Sequence, residues 1–251
     1  MRFRDLIITQ LSAIIKPQKK TTIQFAKLLK GKTGLEIGGP SPIFRQKSYY
    51  PAYLYARQID GVNFSTNTVW EGNITEGNTY NYLSGYPAGK QYIAEASELT
   101  GIENNQYDFL LSSHSLEHIA NPLKALKRWN EVLKPGGTLC LILPNKEATF
   151  DKERPYTTMD HLVNDLERNV SEHDDTHFDE VIEYHLVSLD HGLKSKEELI
   201  VRTKDNYINR CVHHHVFSFE TIKQMLAFCG FEVQFQKEIH GINLFTLAVK
   251  K

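Results

Sequence analysis

The chain has 251 residues, of which 29 are Lys or Arg and 30 are Asp or Glu, giving a formal net charge of −1. That length suits one large domain with a normal buried core, with or without an insertion, and the charge balance gives no global electrostatic reason for a nucleic-acid partner. Three widely spaced cysteines, Cys140, Cys211 and Cys229, form no CxxC pair and, being odd in number, make no disulfide framework; a reducing cytoplasmic location is expected.

The chain opens MRFRDLIITQLSAIIKPQKK. Thr9, Gln10 and Ser12 interrupt its apolar run and no small-residue cleavage site follows, so it reads neither as a signal peptide nor as a membrane span. Leu6, Ile7, Leu11, Ile14 and Ile15 recur at helical spacing. They predict an amphipathic helix, packed on the domain in the preferred reading and lying on a membrane surface in the other. A second helix over 23–29 completes an N-terminal unit of residues 1–30.

Residues 34–42 read GLEIGGPSP. Leu35 and Ile37 fit a buried parallel strand, and Gly38 and Gly39, lacking Cβ atoms, let a ligand approach the backbone at the strand's carboxyl end. Backbone NH groups of a following helix, expected from Pro42 over 42–50, would point into the same crevice. Taken alone, a plain glycine turn looks the same.

The next strand spans 58–65, QIDGVNFS, and carries Asn63 where a nucleoside-binding unit normally presents a carboxylate to the ribose diol. An amide still offers one acceptor and two donors. Asp60 and Glu71 are the nearby acids, with a turn residue and a solvated acid as their simpler roles. Residues 73–89, rich in Gly, Asn and Tyr, read as loop. A strand over 91–94 runs into EASEL, placing Glu95, Ala96 and Ser97 at the rim. YDFLLSS, Tyr107–Ser113, is a second strongly buried strand and opens into HSLEHIANP, so His114 tops it. Asn121 then caps a helix with Pro122 at its first position and Leu123, Leu126, Trp129 and Leu133 on one face. KPGG ends that helix before a strand over 138–143.

GLEIGGPSP, the EASEL rim, YDFLLSSHSLEHIANP and EVLKPGGTLCLILP stand in the order and at the intervals of the class I S-adenosylmethionine-dependent methyltransferases, which residues 31–145 resemble. The likeness is closest to a bacterial subgroup with a GGPSP loop and a histidine-rich insert. It implies an α/β, Rossmann-like fold with a seven-stranded, mostly parallel sheet, helices on both faces and an antiparallel last strand. S-adenosyl-L-methionine would be the methyl donor and S-adenosyl-L-homocysteine the product. The resemblance further implies that Glu36, Gly38 and Gly39 cradle the methionine part, that Glu95 and Ala96 contact adenine, and that Ser113 and His114 flank the methyl group. Asn63 departs from the family's acidic ribose ligand. Downstream, a helix over 218–228 capped by Ser218 and strands over 231–238 and 243–249, turning at Gly241, complete the sheet.

Within a methyltransferase domain of residues 31–251, residues 145–217 exceed the short connection a minimal fold needs. At the carboxyl edge of the sheet they read as a lid that forms the acceptor pocket. They hold eight of the eleven histidines. HDDTHFDE, residues 173–180, fits either a solvated acidic helix start or ligands for a divalent ion. With no cysteine and no familiar zinc spacing, no metal is assigned from it. In VHHHVF, an extended stretch sends His214 to one face and His213 with His215 to the other. His215, His214 and His114, in that order, are the candidate bases for removing an acceptor's proton, each with a hydrogen bond within the lid as its alternative role. Arg154 suits an anionic substrate group or an internal ion pair, the latter preferred.

The expected activity is methyl transfer to an oxygen or nitrogen of a small molecule or saccharide. No nucleic acid is expected, since SSHS replaces an NPPY-type turn and no basic tail exists, and no membrane insertion is expected. The competing readings are a non-catalytic cofactor-binding or regulatory module and a metal-dependent hydrolase built on the insert.

Overall fold

The computed structural model describes residues 2–251. Its strands in chain order are β1 (Thr33–Ile37), β2 (Gln58–Asn63), β3 (Asn67–Thr68), β4 (Gly72–Asn73), β5 (Gly77–Tyr80), β6 (Gly89–Ile93), β7 (Tyr107–Ser113), β8 (Leu133–Pro144), β9 (Phe231–Ile239) and β10 (Asn243–Lys250). The helices are α1 (Arg2–Ile15), α2 (Lys20–Lys27), α3 (Ala52–Tyr55), α4 (Pro122–Val132), α5 (Met159–Glu167), α6 (Phe178–Tyr184), α7 (Lys196–Lys204), α8 (Asn206–Asn209) and α9 (Phe219–Phe228).

Leu35 on β1 and Leu110 and Leu111 on β7 are buried because helices cover both faces of a parallel sheet. The sheet order is β5-β6-β2-β1-β7-β8-β10-β9, with β3 and β4 a separate hairpin. β1 pairs in parallel with β2 and β7, and β2 with β6 and β7 with β8 do the same. β10 enters antiparallel between β8 and β9, as expected for the last strand. The carboxyl ends of β1, β2, β6 and β7 therefore share one edge, and antiparallel β10 brings its first residue, Asn243, to that edge opposite Pro144.

α4 begins with the Asn121 side chain accepting from the Lys124 amide, and Pro122 occupies the first turn, where its missing N–H costs nothing. Its inward stripe centres on fully buried Trp129, whose Nε1 donates to the Ala96 carbonyl at 2.8 Å and ties the helix to the rim after β6. Truncating an aromatic buried this way typically costs about 3–5 kcal/mol.

Two local expectations need correcting. The sheet has eight strands, because β5, in the stretch read as loop, pairs antiparallel with the β6 edge. Only Tyr80 of that strand is buried, so its sequence carried little apolar alternation. No helix spans 42–50: Pro42–Phe44 is a single 3₁₀ turn and α3 covers four residues. Pro40, Pro42 and Pro51 explain this, since each lacks an N–H and disfavours helical backbone in the residue before it. α1 meets the domain through Leu6 and buried Thr9, while Ile14 and Ile15 remain 73% and 77% exposed.

Candidate active site

A cavity of about 660 Å³ opens at the shared carboxyl edge, within the roughly 300–1,000 Å³ typical of small-ligand sites. Its walls come from consecutive strand ends: Ile37, Gly38, Pro40 and Ser41 after β1, Asn63 and Phe64 after β2, Glu95 and Ala96 after β6, and Ser113, His114 and Ser115 after β7.

Gly38 has φ +73°, and a Cβ there would collide with Ser115 Oγ. The glycine is thus required by the protein's own packing as well as by the left-handed backbone. Gly39 and Glu36, expected to cradle the methionine part, do not themselves line the cavity. A Cβ on Gly39 would strike the Glu36 carboxylate and the Tyr80 hydroxyl. Glu36 is fully buried beneath the loop, where Oε1 accepts from the Ser41 amide at 2.9 Å and Oε2 from Tyr53 and Tyr80 at 2.6 and 2.7 Å. Burial pushes its carboxyl up, and those hydrogen bonds pull it back. Glu36 therefore holds the loop in shape, with tyrosines supplied by α3 and β5.

Asn63 lines the cavity, but its amide is engaged: Nδ2 donates to the Gly39 carbonyl at 3.2 Å and Oδ1 accepts from Trp70 Nε1 at 3.3 Å. Asp60 is buried elsewhere, held by the Lys90 amide and Tyr107. Glu71 lies in the wall beside Trp70, and desolvation raises its pKa, with Arg45 opposing. Glu71 stays exposed at the tip of the β3–β4 hairpin, in keeping with the solvated role read from the sequence, while bordering the cavity.

Both Glu95 and Ala96 line the cavity. The Glu95 carboxylate is gripped by Arg210 at 2.6 Å, and Arg210 also binds Glu172 at 2.7 Å and lies over the Phe64 ring at 4.8 Å. Arg210, in the left-handed conformation after α8, is the point at which residues 145–217 reach the cavity. Nothing in its local sequence marked it.

Of the three candidate bases only His114 lines the cavity. His214 and His215 are buried away from it. His214 Nε2 faces the Asn206 amide at 3.2 Å, and burial, reinforced by His177, pushes its pKa down to about 3. His215 Nε2 faces the Ala120 carbonyl at 3.2 Å, and burial holds its pKa well below the usual value. Neither contacts an acceptor from there. His213 pairs with Asp151, and Arg154 binds Asp151, Glu180 and the carbonyls of His213 and His214, so the histidine run is bolted into the insert from behind.

His114 caps β7 with φ +51°. Its Nε2 lies 2.8 Å from Asn243 Oδ1, and Asn243 Nδ2 donates to the Ile239 carbonyl, which fixes Oδ1 as the acceptor. This network assigns the proton to Nε2 and the lone pair to Nδ1. Nδ1 lies 3.8 Å from Oε1 of Glu117, a fully buried carboxyl with no hydrogen-bond donor on either oxygen. Burial raises the Glu117 pKa, and His114 and His213 draw it back down. His118, also in the wall, directs Nδ1 to the Val212 carbonyl at 3.1 Å, and burial lowers its pKa well below the usual value. Glu117 and His118 were missed as site residues although HSLEH presents both one turn beyond His114.

A doubly wound sheet in the order above, with its cavity across the ends of β1, β2, β6 and β7, defines the nucleoside-binding class of α/β proteins. The chain belongs to the methyltransferase domain family, whose model matches residues 14–235. It is an S-adenosylmethionine-dependent methyltransferase, and the cavity fits that donor: a close-approach glycine, an apolar slot at Ala96 and a carboxylate at Glu71. Solved S-adenosylmethionine-dependent methyltransferases with similar folds come from Aquifex aeolicus, at 16% identity and a TM-score of 0.51 over 93% of this chain and 89% of that one. Another is from Mesorhizobium loti, at 13% and 0.51 over 91% and 98%. A third is from Methanosarcina mazei, at 17% and 0.50 over 91% and 96%. No curated protein matches. Among the described residues no helix is long and apolar enough to cross a membrane.

Proposed function

We propose that the protein methylates an oxygen or nitrogen of a small molecule or saccharide, with His114 as the general base. The supporting observation is that His114, left with a lone pair on Nδ1 by its bond to Asn243, lines the same cavity as Gly38, Asn63 and Ala96. When bound, S-adenosylmethionine supplies an electrophilic methyl group. Gly38 and Ser113 border the methionine end, Ala96 and Glu95 the adenine, and Glu71 takes the ribose diol in place of the occupied amide of Asn63. His114 Nδ1 accepts the proton that the acceptor loses, and Glu117 stabilises the resulting imidazolium from 3.8 Å.

Residues 145–217 act as the lid, locked over the adenine end by Arg210 on Glu95, and by excluding water they favour transfer to the bound acceptor. The near-neutral chain favours a small acceptor over a nucleic acid. Three free cysteines favour the cytoplasm.

The test is release of S-adenosylhomocysteine in the presence of hydroxylated and aminated sugars and metabolites. Turnover of at least one acceptor is expected, with His114→Ala lowering kcat by about 10²- to 10⁴-fold. Undiminished turnover in that variant refutes the assignment.

A further inference from the structure

We infer that His161, Asp165, His177 and His215 form a structural zinc site that cross-links three parts of the insert. One ring nitrogen from each histidine and one Asp165 oxygen lie within 4.8 Å of one another. His161 Nε2 is 3.2 Å from His177 Nε2 and 3.1 Å from Asp165 Oδ2, and the His215 ring, whose free nitrogen is Nδ1, completes the group. Ligand atoms on a tetrahedral zinc, at about 2.0–2.1 Å from the metal, stand about 3.3 Å apart. The two spacings from His161 lie close to that value.

Protons alone satisfy the group poorly. If His161 Nε2 carries a hydrogen, it serves either His177 Nε2 or Asp165 Oδ2, not both. Asp165 is buried, and its Oδ2 has no hydrogen bond. His215 directs Nε2 at the Ala120 carbonyl, which leaves its buried Nδ1 with no partner. Orphaned buried polar atoms are costly, and a divalent cation removes that cost for Asp165 and His215 at once. A second ring nitrogen turned to a backbone carbonyl is also how metal-bound histidines are usually oriented.

The four residues come from three separate parts of the insert: α5, the turn before α6, and the extended 212–217 stretch. Asn121 Nδ2, at the start of α4, donates to the Asp165 carbonyl, so the cluster sits against the loop carrying Ile119 to the cavity wall. None of the four lines the cavity, and four protein ligands close a tetrahedron. The ion is thus a clamp on the lid and takes no part in methyl transfer. Its existence does not depend on the identity of the acceptor. Asp174, His177 and His214 make a neighbouring three-residue group that shares His177 but offers one ligand fewer.

The experiment is elemental analysis of the full chain, purified without a tag, followed by zinc titration of chelator-stripped protein and cobalt substitution. About one zinc per chain, a tetrahedral cobalt spectrum and a lower Tm after stripping are expected. His161→Gln, at a ring 39% exposed and so tolerant of change, and Asp165→Asn should weaken zinc binding by at least about 100-fold, the upper end of what losing an outer partner costs. The site is overturned if stripped wild-type protein takes up no zinc, or if His161→Gln binds it unchanged. Zinc lost in Asp174→Asn but kept in His161→Gln also overturns it.

Discussion

Replacing Glu117 by Gln keeps the side chain's shape and removes a negative charge 3.8 Å from His114 Nδ1. At that distance a unit pair interacts by about 4 kcal/mol at an effective dielectric of 20 and about 1 kcal/mol in bulk water. The His114 side chain is 37% exposed, so solvent screening brings the expected loss of imidazolium stabilisation to about 1–2 kcal/mol. Glu117→Gln should therefore slow single-turnover methyl transfer about 5- to 30-fold while leaving S-adenosylhomocysteine affinity unchanged. The sign with pH is also fixed. Burial raises the Glu117 pKa, so its charge is absent below that value and present above it. The advantage of wild type over Glu117→Gln should vanish at low pH and grow as pH rises. Equal single-turnover rates across the pH range, or a loss fully matched by weaker cofactor binding, would refute the role.

Glu71→Gln should weaken S-adenosylhomocysteine binding by about 1–2 kcal/mol, roughly 5- to 30-fold, by removing a charge-assisted hydrogen bond to the ribose; calorimetry showing unchanged affinity would return the ribose to Asn63. Arg154→Met leaves buried Asp151 with His213 as its one remaining charged partner and should cost about 3–5 kcal/mol in urea unfolding; a loss under about 1 kcal/mol contradicts the ion-pair role. Burial raises the Glu172 pKa from 4.5 to about 7 despite Arg210. Because the folded state holds that proton more tightly than the unfolded chain, wild type should gain up to about 3 kcal/mol as pH falls from about 7 to about 4.5. Glu172→Gln should lack that slope when denaturation is followed across the same range.

The sheet was legible wherever burial on both faces leaves a continuous apolar run, as in β1 and β7, and wherever a cap punctuates a helix, as Asn121 does for α4. β5 escaped because only Tyr80 turns inward, and the absent helix after β1 escaped because Pro42, which suits a helix's first residue, stands between Pro40 and Pro51, which break the segment. Both errors concern one feature: α3 and β5 bring Tyr53 and Tyr80 to Glu36, a long-range arrangement with no local signature. The place of Gly38, Ala96, Ser113 and His114 in the cavity wall follows from their positions at strand ends. His214 and His215 were read as facing the acceptor because alternation predicts opposite faces but not which face is open, and the packing of Arg154 and Ala120 closes both. Arg210 and Asn243 reach the cavity from more than a hundred residues beyond the strand ends they meet, a separation that pattern reading does not bridge.

The central claim is that the cavity at the carboxyl edge binds the methyl donor. Isothermal titration of the full chain with S-adenosylhomocysteine tests it most directly. Saturable one-to-one binding at micromolar Kd, about −8 kcal/mol, is the predicted result. No heat or protection at millimolar ligand would contradict it.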